Sequence, residues 1–316
     1  MPLRVAFFGT PGFAVPTLEH LAASPHEVVG VVTQPDKPRG RGQQVAEGPV
    51  KSLAAALQLP VLQPAKLARD LFESQFAALS ADIGVVAAYG KILPDWLLAT
   101  PRFGLINVHA SLLPRYRGAS PVHRAVINGD VETGVTIMRV VKELDAGPMF
   151  ATARVPIAID DTTTIVESAL AIRGAELLVS TLDAIEAGTA RETPQDPAFV
   201  TYAPKLAKTE GRIDWTSSAE RIHNLVRGLW PWPHAFTYLG ETRYIIHRSR
   251  LSTRSVEGAA PGTIVHASAM EGLHVACGEG TAIELVDIQL EGKRVMAARD
   301  AMASRTLVAT ARFSQP

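Results

Sequence analysis

The sequence predicts an α/β protein in which a parallel sheet wrapped by helices precedes a smaller domain of β-strands. In the first half of the chain, short apolar runs alternate with amphipathic helical patterns, which is typical of parallel sheets. A long helical pattern then ends at Gly188, and short β-like runs joined by glycine-containing turns follow Trp230. Several short strands of this kind favour a small barrel, of which the OB type is a common form.

Composition divides the chain into two predicted domains and a linker. The chain has 316 residues, of which 47% are hydrophobic. That length and apolar content suffice for about two domain cores. We predict an α/β domain at residues 1–188, a linker at residues 189–205, where prolines are frequent and apolar clusters few, and an OB-like barrel at residues 206–316.

The charge balance and the cysteine content narrow the possible functions. Lysine plus arginine and aspartate plus glutamate each number 31, so the protein is not a polycation that binds nucleic acid through bulk charge. Cys277 is the single cysteine, so neither a disulfide framework nor a cysteine-rich zinc site can form within the chain. Neither a long apolar run nor a signal-peptide pattern is found, which predicts a cytoplasmic protein without a membrane segment.

The first domain opens with a predicted strand at residues 3–8, the turn Gly9-Thr-Pro-Gly12 and a helix at residues 13–23. This turn lacks the full G-x-G-x-x-G pattern, and no acidic residue ends the next strand at residues 28–33, so a nicotinamide-dependent dehydrogenase is disfavoured. The other predicted elements of this domain are strands at 60–62, 83–87, 105–108 and 134–141, and helices at 50–57, 68–79, 121–128 and 162–187.

The second domain begins with a helix and continues with strands. The capping box Ser217-x-x-Glu220 predicts the start of the helix, and Trp230-Pro-Trp-Pro233 predicts its end. The predicted strands lie near Phe236 and at residues 244–251, 262–266, 273–276 and 282–290.

Asn107 and His109 are the first candidate functional residues. Both follow the start of the apolar strand at 105–108, and side chains alternate along a strand, so the two lie on one face. Ligands of open α/β sheets bind beyond the carboxyl ends of strands. An amide that donates to a developing oxyanion and an imidazole that moves protons together suit attack on a carbonyl. A structural histidine is the alternative, and spacing alone leaves it open.

The string from Asn107 through His109 and Ser-Leu-Leu-Pro-x-x-Arg-Gly118 resembles the signature of the folate-dependent formyltransferases, which have a Rossmann-like parallel-sheet domain. The resemblance implies that Asn107 and His109 are catalytic. It adds Asp145, within Leu144-Asp-Ala-Gly, as an aspartate that orients the histidine and an ordered water; by composition alone Asp145 is an ordinary turn residue. The implied folate-binding residues are Tyr89, Ser111, Leu112, Leu113 and Pro114, although ordinary core packing of Tyr89 is left open.

The segment from Gln34 to Lys51 is rich in glycine, proline and basic residues, which predicts a mobile loop. It resembles the loop with which the family members that act on initiator tRNA hold the end of that tRNA. The resemblance implies that Lys37, Arg39 and Arg41 bind tRNA, whereas Gln43 stands where a lysine is often found. A solvated surface loop is the alternative.

The resemblance extends from Val5 to about Arg305 and implies a reaction. A formyl group would pass from 10-formyltetrahydrofolate to the α-amino group of methionyl initiator tRNA, giving N-formylmethionyl-tRNA for translation initiation. Neither a metal nor a nucleotide cofactor is expected, and we expect a monomer. The alternatives are a sugar-nucleotide amine formyltransferase, a glycinamide ribonucleotide formyltransferase, which would need only the first domain, and an RNA-binding module without catalysis.

Overall fold

The structure is a computed structural model that describes residues 1–39, 44–302 and 307–314, with residues 37–39, 44 and 45 described by their backbone. Its contacts separate two compact units. The first unit comprises Met1–Gly118, Thr133–Val155 and Glu167–Ala203. The second comprises Ala119–Glu132, Pro156–Val166 and Pro204–Pro316.

Strands and helices alternate through the first part of the chain, as the sequence predicts. In order they are β1 (Arg4–Gly9), α1 (Val15–Ala23), β2 (Glu27–Val32), β3 (Lys37–Arg39), β4 (Gln44–Ala46), α2 (Pro49–Ala56), β5 (Val61–Leu62), α3 (Arg69–Ala77), β6 (Ile83–Ala87), α4 (Asp95–Ala99), β7 (Leu105–His109), α5 (Pro121–Ile127), β8 (Glu132–Arg139), β9 (Met149–Pro156) and α6 (Thr163–Glu186). Helix α6 ends just before Gly188, whose φ of 68° is the left-handed conformation that glycine supplies at helix ends.

Seven of these strands form one sheet in the order β5-β2-β1-β6-β7-β8-β9. The pairs from β5 to β7 are parallel, but β7 and β8 pair antiparallel, so the sheet is mixed. The prediction of a parallel sheet is therefore correct for the first five strands in this order and wrong for β8. The alternation of side chains that identifies a strand is the same in both directions, so it does not reveal strand direction.

The face of β7 that carries Asn107 and His109 is set by helix packing on the opposite face. An ideal Cβ on Gly174 of α6 would lie 2.7 Å from Val108 Cγ1 and 3.0 Å from Val135 Cγ2, so α6 lies close against β7 and β8. Val108 thus faces the helix layer, and its neighbours Asn107 and His109 face the other way.

The segment predicted as a linker is tied to the first unit by backbone hydrogen bonds. Thr193 and Met149 exchange N–H···O bonds of 2.8 Å in both directions. Further along, Arg117 N donates to Thr201 O at 2.9 Å, and Ala203 N donates to Arg117 O at 2.7 Å. Residues 193–203, which we call the strap, therefore lie against the loop that follows β7.

The second unit contains helix α7 and an antiparallel sheet. Its elements are α7 (Ala219–Gly228), β10 (Ala235–Leu239), β11 (Thr242–Ser252), β12 (Ile264–Ser268), β13 (Gly272–Ala276), β14 (Ala282–Leu290), β15 (Met296–Ala297) and α8 (Ala298–Ala301). The strand order is β10-β11-β14-β13-β12, with β15 beside β14. Ile222 and Val226 of α7 pack into the core of this sheet with Trp215. Among the residues described, no pairing of β10 with β12 closes the sheet, so the OB-like barrel stays a prediction.

Candidate active site

Strand β7 places Asn107 and His109 near the middle of the mixed sheet. Asn107 pairs with Val86 of β6 and Met138 of β8, and His109 lies opposite Thr136 of β8. His109 is 5% exposed, whereas Asn107 is half-buried. Within the described ranges 1–39, 44–302 and 307–314, no protein group forms a hydrogen bond with the Asn107 carboxamide. Its N–H donors are thus available to a bound substrate.

Two hydroxyl groups form hydrogen bonds that restrain the loop after β7. Ser111 Oγ donates to Arg115 O at 2.6 Å, which closes the loop on itself. Thr136 Oγ1 donates to Ser111 O at 2.7 Å and accepts from Leu113 N at 3.2 Å. Thr136 was not identified from the sequence, where it is one of several β-branched residues of a strand. Its place opposite His109 gives it this supporting role.

The predicted folate-binding residues of this loop differ in exposure. The Ser111 side chain is inaccessible to solvent and already bonded to Arg115 O, and Leu113 is 6% exposed, so both mainly support the loop. Leu112 and Pro114 are half-buried and present part of their apolar surface. The folate contacts of all four residues, Ser111, Leu112, Leu113 and Pro114, stay predictions.

The ring of Tyr89 packs in a hydrophobic core cluster. Its ring is 1% exposed in the core cluster with Phe8 and Phe76, and this burial raises the pKa of its hydroxyl to about 12. This burial agrees with ordinary core packing, which the sequence left open for Tyr89, and the folate contact of Tyr89 stays a prediction. Its backbone carbonyl accepts a hydrogen bond of 2.7 Å from Gln34 Nε2.

Asp145 approaches His109 from the turn between β8 and β9. Asp145 Oδ2 lies 3.7 Å from His109 Nδ1 and accepts a hydrogen bond of 2.8 Å from Gly118 N. The other ring nitrogen, Nε2, lies 3.1 Å from Tyr116 O. Because a carbonyl oxygen only accepts, Nε2 carries a proton, and Nδ1 is the nitrogen that faces the carboxylate. The structure thus brings together the predicted His109 and Asp145, which are far apart in sequence.

The turn that carries Asp145 depends on a residue of the strap, Gln195. Gln195 Nε2 donates to the backbone carbonyls of Asp145 and Gly147, each at 2.8 Å. Gln195 Oε1 accepts from Arg117 Nε at 3.0 Å and Nη2 at 2.7 Å. Gln195 was not identified from the sequence, because it lies in the proline-rich segment that we predicted as a linker, and Arg117 was part of the quoted signature but had no assigned role.

The basic loop is only partly described. The backbone of Lys37 and Arg39 lies in β3, which pairs antiparallel with β4, and Arg41 lies outside the described residues. At the base of this hairpin, Lys51 Nζ lies 2.5 Å from Asp36 Oδ2 and 3.0 Å from Glu47 Oε1. Hydrogen bonds to these carboxylates raise the pKa of the Lys51 ammonium. The tRNA contacts of Lys37, Arg39 and Arg41 stay predictions.

The described part of the chain has neither a metal-type cluster of side chains nor a membrane-spanning helix. No group of three or more histidine, cysteine, aspartate or glutamate side chains there is arranged to hold a metal ion. No helix in those ranges is both long and apolar enough to span a bilayer.

Comparison with known families and folds covers most of the chain. A family model described as formyl transferase matches residues 3–182, and a model described as formyl transferase, C-terminal domain, matches residues 205–306. Among solved structures, an N-formyltransferase from Helicobacter canadensis in complex with folinic acid and dTDP-3-aminofucose superposes with a TM-score of 0.69 at 18% identity, covering 90% of this chain and 98% of that one. Aquifex aeolicus HypX in complex with tetrahydrofolic acid superposes with a TM-score of 0.63 at 14% identity, over 96% of this chain and 47% of that one. These likenesses show the fold.

Sequence relatives are much more similar. The methionyl-tRNA formyltransferase of Koribacter versatilis is 46% identical over 297 residues, which cover 94% of each chain. That of Listeria monocytogenes is 45% identical over 314 residues, which cover 99% of each chain. Identity of this extent over nearly the whole length, together with both family models, shows that the chain belongs to the methionyl-tRNA formyltransferase family.

Proposed function

We propose that this protein transfers a formyl group from 10-formyltetrahydrofolate to the α-amino group of methionyl initiator tRNA. The product is N-formylmethionyl-tRNA, which serves translation initiation. One observation supports the chemistry: the Asn107 carboxamide, which has no hydrogen-bond partner among the residues described, lies on the same strand face as His109, and His109 faces Asp145. The choice of acceptor is supported by the near full-length identity to methionyl-tRNA formyltransferases.

The reaction makes one bond to the formyl carbon and breaks another. The neutral amine of methionine attacks the formyl carbon, and the carbonyl oxygen becomes an oxyanion. Asn107 donates a hydrogen bond to that oxygen, which stabilises the tetrahedral intermediate. Collapse of the intermediate breaks the bond between the formyl carbon and N10 of the folate. One proton leaves the attacking amine and one is delivered to N10, so charge balances.

His109 and Asp145 handle these protons. Because Nε2 is held by the Tyr116 carbonyl, Nδ1 is the ring nitrogen that exchanges the proton of the attacking amine. The Tyr116 carbonyl holds the neutral ring, and the carboxylate of Asp145 stabilises the imidazolium once Nδ1 has taken up the proton. The Nδ1–Oδ2 distance of 3.7 Å is longer than a direct hydrogen bond. Such catalytic contacts often tighten only when substrate binds.

The residues around this pair suit a flat ring system. Leu112 and Pro114 each leave part of their surface accessible, and Leu144, beside Asp145, is 62% exposed. Apolar surface next to a site with convergent polar groups is typical of ligand pockets. We propose that these side chains contact the pterin ring.

The remaining assignments concern the tRNA. We propose that Lys37, Arg39 and Arg41 hold the acceptor end of the tRNA, and that residues 206–316 form an OB-like barrel that binds it further along. In this proposal residues 1–188 form the catalytic domain and residues 189–205 link it to the barrel. The protein acts as a monomer in the cytoplasm. The antiparallel sheet of the second unit supports the barrel assignment.

A panel of formyl acceptors tests the function. Wild-type protein and 10-formyltetrahydrofolate are incubated with methionyl initiator tRNA, uncharged initiator tRNA, a sugar-nucleotide amine or glycinamide ribonucleotide, and formylated products are identified by mass spectrometry. We expect product only with the charged tRNA. Transfer to the sugar amine or to glycinamide ribonucleotide instead would retain the chemistry but refute the acceptor.

An arginine pair tests the loop in the same assay. Arg41→Ala should raise the KM for methionyl-tRNA and make the dependence of KM on salt shallower, because a phosphate contact is lost. Arg69→Ala is the matched control, since Arg69 is an exposed arginine paired with Glu73 on helix α3. Equal effects of both substitutions would show that the loop acts only through net charge.

A further inference from the structure

We propose that Gln195 and Arg117 are positioning residues that hold Asp145 at its working distance from His109. The inference rests on the proposed function and deepens it, because it names residues outside the catalytic trio on which the chemistry depends. Neither residue needs to touch substrate. Each would act through the turn that carries Asp145.

The Gln195 carboxamide uses its full hydrogen-bonding capacity within this turn. An amide side chain has two N–H donors and an oxygen with two acceptor positions. The donors reach the carbonyls of Asp145 and Gly147, and the oxygen receives both Nε and Nη2 of Arg117. In the described run 191–199, Gln195 is partly buried, whereas every other residue is exposed. Its side chain is therefore turned toward the site.

The backbone that these bonds restrain is in a costly conformation. Asp145 has a φ of 46°, in the left-handed region that side chains other than glycine seldom adopt. Such a conformation persists where the surroundings fix it. The bonds from Gln195 on both sides of Ala146, together with the bond from Gly118 N to the Asp145 carboxylate, supply that restraint.

The same strap also supports the other side of the pair. Tyr116 N donates to Thr201 Oγ1 at 2.9 Å, and the carbonyl of Tyr116 is the acceptor that faces His109 Nε2. Arg117 is anchored by its backbone to Thr201 and Ala203 and reaches Gln195 with its side chain. The strap thus connects Tyr116, whose carbonyl accepts from His109, with the turn that carries Asp145. Gln195 makes this connection, because it bonds both Arg117 and the turn.

Glutamine is chemically required in this arrangement. Glutamate at position 195 would keep an acceptor for Arg117 and gain an ion pair with it. It would place a carboxylate oxygen against the carbonyls of Asp145 and Gly147, where both N–H donors are lost. Gln195→Glu therefore separates the positioning of Asp145 from the attachment of the strap.

The test measures single-turnover formyl transfer with both substrates saturating, the KM of each substrate and the melting temperature. We expect Gln195→Met to lower the rate roughly tenfold to a hundredfold, since a small misplacement of a catalytic group costs about that much, with each KM within twofold of wild type. Gln195→Glu should be at least as slow while melting near the wild-type temperature. Arg117→Lys, which keeps a donor, should retain more activity than Arg117→Met.

Two controls make failure informative. Gln75→Met replaces an exposed glutamine of helix α3 that has none of these contacts, and it should leave the rate unchanged. Asp145→Asn reports whether Asp145 matters at all. A rate for Gln195→Met and Gln195→Glu within twofold of wild type, with Asp145→Asn strongly impaired, would overturn the inference and leave the proposed function standing. Full activity of Asp145→Asn would also overturn the inference, because Asp145 would then need no positioning, whereas no transfer by wild type would overturn the proposed function as well.

Discussion

Replacing Asn107 by alanine should separate catalysis from stability. The carboxamide has no hydrogen-bond partner among the described protein groups and is half-buried, so Asn107→Ala leaves no buried partner unpaired. We therefore expect the free energy of unfolding to change by less than about 1 kcal/mol. Loss of one oxyanion donor typically lowers kcat by about a hundredfold to a thousandfold, which corresponds to roughly 2.7 to 4 kcal/mol of transition-state stabilisation.

The assay compares kcat for formyl transfer to methionyl initiator tRNA with chemical denaturation of the same samples. Asn107→Asp sharpens the test, because a carboxylate has no donor and carries negative charge toward the oxyanion, so its kcat should be lower than that of Asn107→Ala. A kcat for Asn107→Ala within threefold of wild type would refute the oxyanion role. A loss of activity matched by a large loss of stability would equally contradict the reasoning, because it would make Asn107 a structural residue.

Three further outcomes follow from the structure. An ideal Cβ on Gly147 would lie 2.0 Å from Arg139 O. Gly147→Ala should therefore lower the free energy of unfolding by about 1–3 kcal/mol and slow formyl transfer by displacing the Asp145 turn. Gly12→Ala is the control in thermal melts, because its Cβ would meet no atom within 4 Å. Burial, with a smaller contribution from His247, lowers the pKa of His234 to about 4 from the ordinary 6.5, so the unfolded chain takes up that proton first and stability is lost as pH falls from 6.5 through 4. His234→Asn should flatten this decline in melting temperature, since asparagine tolerates the φ of 70° at this position, and an unchanged decline would contradict the assignment. Cys277 is 3% exposed and burial raises its pKa to about 12, so iodoacetamide should label it only as fast as the second unit unfolds, and rapid labelling of the native protein would exclude this burial.

Much of the fold follows from periodicity, because burial on one face imposes it. The strands and helices that the sequence predicted in the first part lie close to their predicted bounds, whereas β3, β4, α4 and β9 were not predicted. The shared face of Asn107 and His109 follows from strand alternation alone. Periodicity did not reveal that β8 runs antiparallel to β7. The ring of Tyr89 illustrates a different limit, because an aromatic residue after a strand is compatible with both a pocket wall and the core.

The site could be predicted only in part from local pattern. Asp145 and His109 lie in loops that are far apart in sequence, so their spacing did not predict that they meet. Asp145 was predicted from the family resemblance. No sequence motif identified Gln195 or Thr201 as part of the site. The strap attaches by backbone hydrogen bonds, the Gln195 amide and the Thr201 hydroxyl, and it buries few apolar residues. Its sequence therefore has the composition of a linker.

The most direct test of the catalytic site is the single-turnover rate of N-formylmethionyl-tRNA formation by His109→Gln. The glutamine amide can still donate to Tyr116 O, as Nε2 does, but it has no titrating nitrogen facing Asp145. If Nδ1 exchanges the proton of the attacking amine, the rate should fall by about a hundredfold to ten-thousandfold, with folate binding and melting temperature retained. A rate within a few-fold of wild type would contradict the site, because proton transfer would then not pass through His109.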